Sequence, residues 1–134
     1  MTNEEKELLL KDLSARLPYG VKIEIPELFG RGFEIQTLTE IDRGHINDYG
    51  TPCHFIKPYL RPMSSMTEEE KEVVCSMNMI SDTELDDRLN YQRMYVQNYT
   101  IETFDYFNER KLDYRGLIPM GLALEAPKNM YNIK

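Results

Sequence analysis

The chain has 134 residues, 41% of them hydrophobic, with two cysteines, no tryptophan and a net charge of −7. That length and apolar share suit one domain with an ordinary core, not a disordered chain or a small disulfide-stapled scaffold. The acid excess argues against direct nucleic-acid binding, which needs a basic face to displace counterions from phosphates, and against docking on an anionic membrane.

The opening MTNEEKELLL has no basic region followed by an apolar stretch, and no apolar run approaches the roughly 20 residues a bilayer span requires. The expected location is therefore cytoplasmic, with Cys53 and Cys75 as free thiols.

The same segment predicts a helix. Thr2 and Glu5 have capping-box spacing, in which each side chain satisfies the other residue's free backbone N–H. Leu9, Leu13 and Leu17, with Leu10 beside them, repeat near the helical period until Pro18 and Gly20 stop it. Val21 to Ile25 then alternates apolar and charged residues, which marks a half-buried strand ending at Pro26. Phe33 to Ile41 alternates again after a Gly30-Arg31-Gly32 turn, and Pro52 to Ile56 reads as a third strand. Three such strands joined by short loops predict an antiparallel meander, either a curled sheet or part of a small barrel. Lys57 to Pro62 carries two prolines, each forcing its predecessor into extended backbone, and reads as a connector laid across the domain.

The C-terminal half reads as helical. Thr67 with Glu70 repeats the capping box, opening a helix to about Ile80 that buries Val73, Met77 and Ile80, with Val74 at its edge. Ser81 or Asp82 caps a further helix to about Asn98, striped by Tyr91, Tyr95 and Tyr99. Thr100 opens a shorter helix carrying Ile101, Phe104 and Phe107, and Gly116, Pro119, Gly121 and Pro127 break the tail that follows. The expectation is a single α+β domain over residues 1–134: an N-terminal helix, a three-stranded meander and a helical C-terminal half.

No catalytic, metal or cofactor signature emerges. His45, Cys53, His54 and Cys75 are the soft ligands, but their spacing is irregular, and zinc sites supply paired ligands two to four residues apart. A nucleophile pair of Cys53 or Cys75 with His45 has no flanking signature. Asp82, Glu84 and Asp86 begin like a calcium loop, but Asp87 stands where the turn needs Gly and Arg93 where a bidentate Glu should close it.

Charge distribution is more informative. Between Thr67 and Asn90 lie Glu68, Glu69, Glu70, Glu72, Asp82, Glu84, Asp86 and Asp87 against Lys71 and Arg88 alone, so this stretch holds −6 of the net −7. Local charge of one sign can steer a basic partner or mimic a phosphate chain, although acids on an outer helix face often only solubilise. Lys57, Tyr59 and Arg61 alternate with prolines and form a second candidate surface, for a phosphate or a peptide. Its structural alternative is a connector clamped by its own Tyr and Leu.

Three stretches, MTNEEKELLLKDLSARLPYGVK, IKPYLRPMSSMTEEEKE and FDYFNERKLDYRGLIPMGLALEAPKNMY, make up about half of the chain. They resemble a family of short uncharacterised proteins recurrent in gut Bacteroidales genomes and their phages and mobile elements. Residues 23–55 and 73–98 are not covered, and the family pattern expects a charged residue where Pro119 stands. That departure argues against a continuous helix from Asp113. The resemblance implies an accessory protein in a cytoplasmic, phage-related setting and transfers no residue role.

The leading functional expectation is a non-enzymatic binding module. It would act on a protein partner or a second copy of itself through the acids of residues 67–90 and the Tyr91, Tyr95 and Tyr99 stripe. One alternative is an inhibitor of a host nucleic-acid enzyme or defence system that uses the acidic face as a phosphate mimic. Another is a small enzyme or nucleotide-binding protein with its site near the sheet, around His45, Cys53, His54 and Tyr59.

Overall fold

A computed structural model of the chain describes residues 2–26, 32–40, 56–90 and 99–131. Helix α1 spans Asn3–Arg16, and its capping box forms as the sequence requires: Glu5 N donates to Thr2 Oγ1 at 3.1 Å and Thr2 N to Glu5 Oε1 at 3.2 Å. Leu9 and Leu13 are fully buried on its inner face, whereas Leu10 is exposed. A 3₁₀ turn over Leu17–Tyr19 ends at Gly20, whose φ of 72° is the left-handed conformation that glycine adopts without a Cβ clash.

The described sheet has four strands in the order β2-β1-β3-β4, with β1 at Lys22–Pro26, β2 at Phe33–Thr37, β3 at Lys57–Leu60 and β4 at Leu124–Glu125. β1 pairs antiparallel with both β2 and β3, while β4 runs parallel to β3. It is therefore an open, mixed sheet. The expected barrel-like meander is not found among the described residues, since the third strand pairs with β1 and not with β2.

The third strand itself also needs correction. Lys57 to Leu60, expected as a connector, is β3, and the expected strand residues 52–55 lie outside the described region. The physical reason is that a proline forbids helix but is compatible with extended backbone. Pro58 is tolerated beside β1 because β4 pairs only with Tyr59 and Leu60, so no β4 partner needs its missing N–H. β4 and the isolated parallel bridge between Arg61 and Leu112 come from the tail, which sequence periodicity left without an element.

Helix α2 spans Glu68–Asn78, α3 spans Asp82–Asn90 and α4 spans Ile101–Glu109. The second capping box forms, with Glu70 N donating to Thr67 Oγ1 at 3.2 Å and Thr67 N to Glu70 Oε1 at 2.9 Å. Ser81 Oγ accepts from Glu84 N at the start of α3, and Thr100 Oγ1 from Thr103 N at the start of α4. The predicted extension of α3 to Asn98, with Tyr91 and Tyr95, lies outside the described residues.

Two helical faces are rotated from expectation. In α2 the buried residues are Glu70 and Val74, one turn apart, while Val73, Met77 and Ile80 are only half-buried. Glu70 turns inward to meet Arg61 and carries Val74 with it. In α4 the buried residues are Thr103, Phe107 and Asn108, whereas Ile101 is exposed.

The apolar side chains form two cores. The first packs α1 against the sheet through Leu9, Leu13, Val21, Ile23 and Leu60, closed by Leu117 and Leu122. The second joins α2, α3 and α4 through Val74, Leu85, Phe107 and Tyr114, with Met63 and Met66 beside them. Residues 111–113 tie the two together. Arg61 N donates to Lys111 O at 2.7 Å, and Asp113 N donates to Arg61 O at 2.8 Å. From the α1 side Arg16 donates to Leu112 O at 2.7 Å while pairing with Asp12, which also receives Arg115 Nη1 at 2.7 Å. Arg16 Nη1 is buried without a hydrogen-bond partner among the described residues, and its guanidinium lies 5.4 Å from the centre of the Tyr114 ring, a cation–π distance.

Candidate functional site

The acidic segment folds as two neighbouring helices. Glu68, Glu69 and Glu72 on α2, with Asp82, Glu84, Asp86 and Asp87 on α3, are exposed. The two bases of this surface are engaged locally, Lys71 with Glu68 at 3.7 Å and Arg88 with Glu84 at 3.3 Å. Seven exposed carboxylates against two locally paired cations give these two helices a local excess of negative charge.

Glu70 does not belong to that surface. It is 1% exposed and accepts from Arg61 through two parallel bonds, Nη1 to Oε2 at 2.8 Å and Nη2 to Oε1 at 2.7 Å. Burial alone would raise its carboxyl, but the hydrogen bonds from Arg61 and Thr67 outweigh burial and hold it below the usual carboxylate range. Its structural duties, capping α2 and neutralising Arg61, account for all of its contacts with those two residues.

The Lys57, Tyr59 and Arg61 group is likewise built into the fold. Arg61 is 8% exposed and also donates to Ser65 O at 3.1 Å. Tyr59 is buried in β3, and its hydroxyl donates to Glu24 Oε2 at 2.9 Å; burial and then the Glu24 carboxylate push the phenol up. Lys57 is half-buried in β3 beside Glu24 of β1. Lys57 and Tyr59 belong to strand β3 and Arg61 to its exit, so these residues are built into the sheet and do not form a displayed cationic segment.

Of the tyrosine stripe, Tyr99 is described. Its ring packs edge-on against Phe107 at 5.2 Å and Phe104 at 6.0 Å, and the Arg88 guanidinium sits 5.2 Å above it. Burial pushes its phenol up, with Arg88 opposing. Tyr99 therefore anchors the second core.

Cys75 is half-buried, and its thiol lies 3.6 Å from Asp82 Oδ1. Burial, then Asp82 and Asp86, push the thiol up, so it is kept protonated and not activated. His45, Cys53 and His54 lie outside the described residues. Among the described residues no group of three or more His, Cys, Asp or Glu side chains is placed to hold a metal ion. No described helix is long and apolar enough to cross a membrane.

One feature had no sequence signal. A cleft of about 570 Å³ opens where the β3 exit, α2, α3 and the turn after Asp113 converge. Pro62, Met63, Leu89, Ile118 and Pro119 give it an apolar wall, and Ser64, Lys71, Asp86 and Asn90 bring polar groups to it. Asp113 also borders it and is held in place by accepting from Leu117 N at 2.8 Å and Ile118 N at 3.0 Å. Burial pushes the Asp113 carboxyl up, although these two bonds oppose it. The residues of the cleft come from several separate segments between Pro62 and Pro119, so no local motif could have announced it.

No family model, curated protein or solved structure matches the chain.

Proposed function

We propose that this protein is a non-enzymatic binding module that recognises a basic protein surface through the outer faces of α2 and α3. The observation that supports this reading is the exposure of seven carboxylates on two packed helices whose bases are already paired locally. Such a surface steers a cationic partner and fixes its orientation, and its effect weakens as salt screens it. The polar residues that sequence alone suggested as a rival surface, Tyr59 and Arg61, are occupied in holding the fold. A cytoplasmic, mobile-element setting belongs to the same proposal and rests on the resemblance of the three sequence blocks.

The test is affinity capture from a native host with the wild-type chain and with a Glu69→Lys, Glu72→Lys, Glu84→Lys, Asp87→Lys variant. A partner retained by the first, lost by the second and released by salt supports the proposal. Identical capture by both chains would refute it. The sharper form, in which the carboxylates imitate a phosphate chain toward a host nucleic-acid enzyme, draws on the same exposed acids. It requires in addition that duplex DNA compete for the captured partner.

A further inference from the structure

The cleft between the two cores shares Asp86 and Lys71 with the acidic surface but carries an inference separate from partner binding there. Its volume of about 570 Å³ lies within the usual range for small-molecule sites, roughly 300–1,000 Å³, and such sites combine an apolar wall with a few polar groups. Among the described residues its lining holds one cation, Lys71, and two carboxylates, Asp86 at the rim and Asp113. Lys71 and Asp86 do not pair with each other. Asp86 makes no hydrogen bond or ion pair among the described residues, and the only ion pair of Lys71 there is the 3.7 Å contact with Glu68, whose side chain is 90% exposed. An exposed pair of that length is weak and yields readily to a ligand. The hydroxyl of Ser64 and the amide of Asn90 are also without side-chain hydrogen bonds among the described residues. Asp113, by contrast, is committed to the backbone of the 117–118 turn.

We propose that this cleft is a binding site for a small zwitterion with an apolar substituent, of the amino-acid or short-peptide class. Its ammonium group faces Asp86 and its carboxylate faces Lys71. The apolar substituent lies against Met63, Leu89 and Ile118. A purely anionic ligand would leave the Asp86 carboxylate unmet, and a purely cationic one would leave Lys71 to its weak pair with Glu68. Only a molecule carrying both charges satisfies both sides.

Isothermal titration calorimetry of the full chain with phenylalanine and leucyl-leucine tests this, with N-acetyl-leucyl-leucine and leucyl-leucine amide as analogues lacking one charge each. At least one zwitterion should bind, and the capped analogues should bind about tenfold weaker or less, because each leaves a charged partner unmet. Asp86→Asn should erase the penalty for acetylation and Lys71→Gln the penalty for amidation, with unchanged circular dichroism. Absence of binding by both zwitterions, or equal binding of free and capped peptides to the wild-type chain, would overturn the proposal without any variant. Because the capture experiment alters Glu69, Glu72, Glu84 and Asp87, none of which lines the cleft, the two readings stand or fall separately.

Discussion

Arg61 and Glu70 face each other through two parallel hydrogen bonds of 2.8 and 2.7 Å, and this pair couples the exit of β3 to the first turn of α2. A bidentate guanidinium–carboxylate pair fixes geometry as well as charge. It explains why α2 buries Glu70 and Val74, and why the acidic surface is built from the remaining acids.

Removing one partner should therefore cost far more than removing any exposed acid. Glu70→Ala strands a buried guanidinium and uncaps α2, so we expect a loss of about 3–5 kcal/mol in denaturant unfolding. Glu69→Ala, on the outer face, should change stability by about 0.5 kcal/mol or less. Equal effects would contradict the assigned burial.

The same pair sets an acid limit. Glu70 has a folded pKa below its unfolded value of about 4.5, so its stabilisation is present above pH 4.5 and is lost as pH falls through the lower folded pKa. Asp113 acts with the opposite sign: its folded pKa is raised above 3.8, so its contribution favours the folded state on acidification. Stability measured from pH 6 to 2 should fall less in Glu70→Gln than in the wild type, and more steeply in Asp113→Asn.

Helix rotation has its own signature. Val74 is fully buried and Val73 is not, so Val74→Ala should cost about 2 kcal/mol and Val73→Ala less than half of that in thermal or chemical unfolding. The reverse order would restore the face that periodicity alone suggests.

Tyr131 locks the tail onto the sheet. Its hydroxyl accepts from Lys22 N at 2.8 Å and donates to Tyr59 O at 2.7 Å, and burial pushes its phenol up to about 12. Tyr131→Phe leaves both backbone groups unmet and should cost about 1–3 kcal/mol. The raised pKa means that this stabilisation is intact below pH 10 and is lost as pH rises toward 12. The alkaline loss should be smaller in Tyr131→Phe.

Local chemistry was legible in the sequence wherever its cause was local. Both Thr–Glu capping boxes and the Thr100 cap are short-range hydrogen-bond patterns, and each forms where the spacing places it. The α+β class and the alternation of β1 were readable for the same reason. What failed depends on distant partners. Glu70 looks like one more helix-dipole acid until Arg61, nine residues back, is brought beside it. Lys57 to Leu60 looks like a connector until β1 pairs with it, and Leu124 to Glu125 has no pattern of its own apart from β3. The cleft is the extreme case, since its polar groups come from a turn and two helices that only the tertiary fold assembles.

The most direct measurement for the acidic surface is the affinity of the captured partner at low and physiological ionic strength, for the wild type and for the Glu69→Lys, Glu72→Lys, Glu84→Lys, Asp87→Lys variant. Binding that is strong at low salt, weakens steeply at physiological salt and is largely lost in the variant is the predicted result. Affinity that is insensitive to salt and unchanged by reversing the four charges would contradict the account.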